Sequence, residues 1–410
     1  MTETGPIVII GGGHAAAQLC AGLQEAGQGA RVHLVCEEPE LPYQRPPLSK
    51  TFLKSEQESL QAHRAEAWYA QAGITLHQAD PAVAIDRAGK TVQLRSGASL
   101  PYDQLVLATG ARPRRLPKVP DALDNVALLR SAADALRLRA QLQAASSLTV
   151  LGGGFIGLEI AATARALGKA VTVLESAPRL LARSVSAELA EHVLQTHRAS
   201  GIDLRLGAST EGFEHDGQHL VALTVDGQRQ TVDLLVMGIG AAPDIALAQA
   251  AGLMCDNGIV VDGQMRTSDP AILAVGDCAN FPEAGSGRRL RLESVQNAND
   301  QARCAVATLL GREAPYRALP WFWSEQASLR LQMAGLMPAA ADSTRHRRPG
   351  ATAASFSILH YVGETLTCVE SVNAPMDHIM SRKLLEAGIS PAPALACDAG
   401  VPLKNHLPPA

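Results

Sequence analysis

At 410 residues, 47% of them hydrophobic and 19% charged, the chain has the composition of an ordinary soluble protein long enough for two or three domains. Its formal net charge of −4, from 36 basic and 40 acidic residues, supplies no global field for nucleic acid or an anionic membrane, so an acidic partner must be met by a local basic patch. The seven cysteines, Cys20, Cys36, Cys255, Cys278, Cys304, Cys368 and Cys397, are too scattered for a zinc knuckle, a CxxC pair or a disulfide framework, and no metal site is expected.

Residues 5–23 carry no formal charge, but they include several glycines, His14 and Gln18, and the preceding MTET has no basic residue. They are read as neither a signal peptide nor a membrane span, and a cytoplasmic location is expected. Within them IVIIG is a buried strand, and Gly11, Gly13 and Ala16 fall at the positions of the G-x-G-x-x-G/A fingerprint. The first glycine allows a tight turn, the second lets backbone approach a pyrophosphate, and a small third residue lets helix pack on strand. A helix beginning near His14, with Ala15 in its first turn, points its amides at the phosphates. The next strand leads through RVHLVCEE to Glu37 and Glu38, one of which is placed to hold a ribose hydroxyl. Glu37 is the expected ligand, with Cys36 standing where an acid is commonest.

Further on, YDQLVLATGARPR (residues 102–114) is an apolar strand ending in Ala108, Thr109 and Gly110, small residues that let backbone pass close to a cofactor. Residues 150–175 then repeat the first pattern more cleanly, with Gly152, Gly154 and Gly157 at the motif positions and Phe155 and Ile156 opening the helix. Glu175 closes VTVLE about 20 residues beyond Gly152, the spacing expected of a ribose acid. A carboxylate there accepts from both hydroxyls of an unphosphorylated ribose and repels a 2′-phosphate. NADH is therefore expected over NADPH, although Arg179 nearby leaves the alternative open. VDLLVMGIGAAPD (232–244) repeats the small-residue strand end at Gly240, and ILAVGDCANF (272–281) ends a strand at Gly276 and Asp277. An Asp there either holds a ribityl hydroxyl or caps the next helix. Two cradles imply two dinucleotides, and the commonest reason to carry both is to join a tightly held FAD to a diffusible nicotinamide.

The two fingerprints with ATGARPR, GIGAAPD and AVGDCAN resemble the two-dinucleotide-binding flavoprotein reductases. YQRPPLSK (43–50), RLESVQNANDQA (291–302) and PWFWSEQ (320–326) look like the ferredoxin reductases of the putidaredoxin-reductase and biphenyl-dioxygenase-reductase types, which serve cytochrome P450 and aromatic-ring dioxygenase systems. The resemblance implies an α/β, glutathione-reductase-like fold with two Rossmann-like domains. Residues 1–112 and 244–320 would form the FAD domain, 113–243 an inserted NAD domain, and 321–410 an α+β domain. In the last, residues 355–373 read as two strands around a turn at Gly363-Glu364, residues 376–388 as an amphipathic helix, and the proline-rich end as irregular.

By the same resemblance, Lys50 and Glu159 lie beside the flavin N5 and the nicotinamide, Arg45, Pro46, Arg112 and Asp277 line FAD, and Glu293, Val295 and Gln296 pass the pyrimidine edge of the flavin. Trp321 and Trp323 alternate in a strand-like run and are expected on opposite faces, with Trp323 the flavin neighbour. Disulfide reductases of the superfamily carry a cysteine pair where this chain has PPLSKTFL. Without such a relay the electrons must leave outward, and a flavin can release them singly, which matches a [2Fe–2S] ferredoxin, whose cluster belongs to the partner. A docking patch is expected among Arg303, Arg312, Arg345, Arg347, Arg348 and Lys404, with Arg303 the leading residue, on a monomer or weak homodimer. The competing readings are a rubredoxin reductase, an NADH oxidase-type flavoprotein, and a non-catalytic NADH sensor.

Overall fold

The computed structural model describes residues 5–120, 122–284 and 286–408. The MTET start and the outermost ends of the expected first and last domains, residues 1–4 and 409–410, lie outside the described residues. The chain falls into two compact units, one of Met1–Pro47, Ser59–Arg112 and Ala241–Ala318, the other of Leu48–Glu58, Pro113–Gly240 and Leu319–Ala410.

The first unit is built on a five-stranded parallel sheet in the order Ile272–Ala274, Gln104–Leu107, Ile7–Ile10, Val32–Val35, Thr75–His77. Its central strand, IVII, is buried at every position, as a continuous apolar run with helices on the sheet must be. The helices His14–Glu25 and Val295–Leu309 pack on each other, with Gly22 against Val306, and Ala15, Ala16, Leu19 and Leu23 of the first join one core with the sheet. A small antiparallel sheet, Ala82–Asp86, Thr91–Leu94 and Ser99–Pro101, fills the crossover before Gln104–Leu107.

The second unit repeats the parallel arrangement. Its strands run Asp203–Leu206, Ala170–Glu175, Ser147–Leu151, Leu234–Met237, Val126–Ala127. The helix Phe155–Ala166 follows the central strand, and Ala132–Ala144 enters through a capping box between Ser131 and Asp134. The same unit carries an antiparallel sheet in the order Trp321–Gln326, Leu329–Gly335, Thr365–Val372, Phe356–Val362, Thr344–Pro349. Leu331, Phe356, Ile358 and Val372 of that sheet share a core with Leu158, Ala161 and Leu189.

The hairpin expected in residues 355–373 and the helix expected in 376–388 are present as Phe356–Val362, Thr365–Val372 and Pro375–Glu386. The tail is more ordered than its proline content predicts. It holds a short helix, Pro393–Ala396, and Arg348 donates to the carbonyls of Ala396 at 2.8 Å, Asp398 at 2.6 Å and Val401 at 3.1 Å. Those bonds account for Arg348 being 5% exposed, so it is withdrawn from the expected docking patch.

Candidate active site

Both glycine turns have the same internal geometry. Gly11 N donates to Val35 O at 2.9 Å, and Gly152 N to Leu174 O at 2.8 Å. On the other flank Ala108 N donates to Ile10 O at 2.8 Å, and Gly238 N to Leu151 O at 2.7 Å. Gly11 has φ +129° and Gly152 φ +100°, and a side chain on either would run into the carbonyl oxygen of Ala108 or Gly238. At the third position Ala16 is buried without conflict, whereas a methyl on Gly157 would meet the Gly152 carbonyl.

The cradles suit a pyrophosphate. Gly13 and Gly154 are the N-cap residues of their helices, and among the described residues neither receives a side-chain cap. A Cβ on Gly154 would meet nothing within 4 Å, and one on Gly13 only Arg45 Nε at 4.0 Å. Helix starts without a side-chain cap, clear space and a guanidinium beside one of them are what an anionic bridge requires. Around the first cradle, His14 packs edge-on against His63 at 4.6 Å, Gly276 N donates to the buried Gln301 Oε1 at 2.7 Å, and Thr109 Oγ1 donates to Asp244 O at 2.6 Å. Gly110 O accepts from Asp244 N at 2.9 Å, and the Asp277 carbonyl accepts from Arg291 Nη1 at 3.1 Å.

The strands past the glycine turns end differently. Because Val35 matches Leu174, Cys36 matches Glu175. The Glu175 carboxylate accepts from Gly153 N at 2.6 Å and Ala177 N at 2.7 Å. Cys36 is 1% exposed, and burial, reinforced by the nearby Glu38 charge, pushes its thiol up to about 12. Glu37, the expected ribose ligand, sits one residue beyond, exposed and paired with Arg112 at 3.1 Å, while Arg112 Nε donates to Asp244 at 2.7 Å. Glu38 instead binds Arg45 Nη2 at 2.7 Å and the Tyr43 hydroxyl at 2.6 Å. Arg179 donates to the carbonyls of Val185 at 2.8 Å and Ala182 at 2.6 Å.

Glu159 and Thr163, one turn apart on the helix Phe155–Ala166, hold the segment Leu48–Glu58. Glu159 Oε2 accepts from Ser49 Oγ at 2.5 Å and Lys50 Nζ at 2.8 Å, and its Oε1 from Ser324 Oγ at 2.7 Å, while Thr163 Oγ1 donates to Ser49 O at 2.9 Å. Arg139 fixes the far end of the segment through the carbonyls of Phe52 and Ser55. Glu159 is 4% exposed, and a carboxylate so buried is tolerable only because a cation and two hydroxyls offset its lost hydration. Lys50 was legible in the sequence through its motif; Ser49 and Ser324 were missed, since only the tertiary fold brings them to Glu159.

Trp321 and Trp323 are not on opposite faces. Their ring centroids lie 5.8 Å apart, because residues two apart in a strand share a face. Phe322 points the other way and packs edge-on against Phe155 at 4.9 Å. Ile156 is exposed and Gly240 O accepts from Arg114 N at 2.9 Å. In the 291–302 segment, Glu293 pairs with Arg291 at 2.6 Å, Val295 opens the helix Val295–Leu309 behind its Ser294 cap, and Gln296 is buried.

Two family models match the chain, pyridine nucleotide-disulphide oxidoreductase over residues 5–302 and reductase C-terminal over residues 321–407. The chain belongs to the pyridine nucleotide-disulphide oxidoreductase family. Rhodocoxin reductase of Rhodococcus erythropolis is 44% identical over 402 residues, spanning 97% of this chain and 93% of that protein. The crystal structure of the ferredoxin reductase for the CYP199A2 system from Rhodopseudomonas palustris matches with a TM-score of 0.93 at 41% identity, covering 98% of this chain and 99% of that one. The covalent putidaredoxin reductase–putidaredoxin complex matches with a TM-score of 0.92 at 39% identity, covering 98% of each chain. This member of the pyridine nucleotide-disulphide oxidoreductase family is an oxidoreductase whose seven cysteines are all free among the described residues, with none in Leu48–Glu58.

Proposed function

We propose that the chain is an FAD-containing reductase that takes a hydride from NADH and passes electrons singly to a [2Fe–2S] ferredoxin serving a cytochrome P450 or aromatic-ring dioxygenase. The observation that carries this reading is the segment Leu48–Glu58, which offers Ser49 and Lys50 to Glu159 and contains no thiol. With no internal dithiol, electrons have no covalent carrier in the chain and must leave the flavin for an external acceptor. The ferredoxin reductase of the CYP199A2 system and the covalent putidaredoxin reductase–putidaredoxin complex support a ferredoxin as that acceptor.

In this reading Gly11, Gly13, His14, Ala15, Ala16, Arg45, Ala108 to Gly110, Arg112, Gly276, Asp277 and residues 293, 295 and 296 hold FAD. Gly152, Gly154 to Gly157, Glu175 and Gly240 hold the nicotinamide dinucleotide. Bound FAD supplies two-electron acceptance and one-electron release. The protein's own share is orientation. Lys50 Nζ and the Glu159 carboxylate, 2.8 Å apart, would offer a fixed cation and acceptor to a bound nicotinamide, and Trp323 would supply an apolar face. NADH is favoured in this reading because Glu175, held by Gly153 N, would offer a carboxylate to the ribose, while Arg179 already serves two carbonyls.

Three domains follow from the same assignment: FAD-binding over 1–112 and 244–320, NAD-binding over 113–243, and C-terminal over 321–410. Arg303, 59% exposed and paired with Asp300, is the leading docking residue and lies with Arg312 in the first unit; Arg345, Lys404 and Arg347, which pairs with Glu188 at 2.9 Å, are the candidates of the second. Among the described residues no helix is long and apolar enough to cross a membrane. The free cysteines favour the cytoplasm, and a monomer or weak homodimer is our reading of the assembly. The test is a stopped-flow comparison of acceptors. A [2Fe–2S] ferredoxin should reoxidise the NADH-reduced enzyme far faster than oxygen does, and equal rates would point to an oxidase.

A further inference from the structure

Glu159 is one end of a longer polar run inside the second unit. Ser324 and Gln326 share the face of the strand Trp321–Gln326 that Phe322 packs toward Phe155. Ser324 Oγ lies 2.7 Å from Glu159 Oε1, Gln326 Nε2 lies 3.0 Å from Ser324 Oγ, and Gln326 Oε1 lies 2.8 Å from His197 Nε2. Glu159, Ser324, Gln326 and His197 are 4%, 1%, 0% and 1% exposed, so no bulk water shares these bonds. A strand face packed on a helix is filled more cheaply by apolar side chains, and polar groups placed there enforce a geometry.

Donor and acceptor inventory gives the run one direction. A carboxylate only accepts, so the Ser324 hydroxyl donates its proton to Glu159 and accepts the Gln326 amide N–H. The Gln326 oxygen then faces His197, whose Nε2 must carry the ring proton. Burial holds the His197 ring below its ordinary range, which keeps it neutral with a single N–H to give. Every bond thus donates toward Glu159.

We infer that Ser324, Gln326 and His197 are positioning residues that lock the rotation of the Glu159 carboxylate, so that its Oε2 stays with Ser49 and Lys50 and a bound nicotinamide meets one fixed orientation. The inference rests on the reading above that Glu159 meets the nicotinamide.

The test compares Ser324→Ala, Gln326→Met and Ser324→Thr with Glu159→Gln in the FAD-loaded protein. Thermal midpoint, anaerobic flavin reduction by NADH, and the long-wavelength charge-transfer absorbance on adding NAD⁺ to the reduced protein are read for each. Ser324→Ala is expected to lower the limiting reduction rate about tenfold and Gln326→Met about threefold, with apparent NADH affinity within about twofold and a shifted charge-transfer band. Ser324→Thr, which keeps the hydroxyl, should restore both rate and band. If Glu159→Gln slows reduction but Ser324→Ala and Gln326→Met keep the parental rate and band while only their thermal midpoints move, the run is packing and the inference fails while Glu159 keeps its assignment. If Glu159→Gln itself leaves rate and band unchanged, both fall. Should Ser324→Ala not fold, Gln326→Met decides between the same outcomes.

Discussion

In each parallel sheet the central strand ends in a glycine held between two neighbours, Gly11 between Val35 and Ala108, Gly152 between Leu174 and Gly238. The outermost strand of the first, Ile272–Ala274, arrives late in the chain, whereas its counterpart in the second, Val126–Ala127, arrives early. Around this shared frame the chemistry diverges at one residue. Glu175 ends its strand as a carboxylate anchored by two amides, and Cys36 follows the end of the matching strand as a buried thiol. The frame is what any dinucleotide cradle needs; the strand end decides how the ribose is read. A diffusible cofactor that must be told from its 2′-phosphorylated form uses the acid, while a cofactor held throughout turnover can be kept by many contacts.

The largest way to break the pair is at the turn itself. Gly11→Ala combines φ +129° with a carbonyl in the way, and a loss of about 4 kcal/mol or more is expected, seen as failure to retain FAD or to fold. Gly157→Ala should cost about 2 kcal/mol by pushing the second helix off its strand, whereas Ala16→Gly in the first cradle should cost only about 1 kcal/mol of helix propensity, both read by thermal unfolding. Glu175→Ala should raise the KM for NADH about 30-fold and narrow the gap to NADPH, measured as the ratio of kcat/KM values.

The smallest effect concerns Cys36. Its folded pKa stands above the ordinary 9.0, so its contribution is complete below pH 9.0, where the unfolded thiol starts to ionise, and is lost as pH rises through about 12, where the folded thiol ionises too. Cys36→Ser should flatten that part of the stability profile, as denaturant titrations at a series of alkaline pH values would show.

Both cradles were legible because a strand, a glycine turn and a helix are written in adjacent residues. The C-terminal hairpin and helix were legible for the same reason. What escaped was set by partners distant in sequence. Ser49 and Ser324 reach Glu159 from 110 and 165 residues away, and no local pattern marks them. Arg348 stands in RHRR, which reads as a solvated run, yet one arginine of it turns inward to tie down the tail through three carbonyls. The two tryptophans, expected on opposite faces, share one because a strand repeats every two residues.

The central claim is that the flavin is the sole redox centre and that its electrons leave through a partner. Anaerobic titration of the purified protein with NADH, followed by absorbance from the near ultraviolet to the far red, tests it most directly. Full bleaching of the flavin at about one equivalent of NADH, with a long-wavelength charge-transfer band, is the predicted result. Uptake near two equivalents would reveal a second redox centre and would contradict the account.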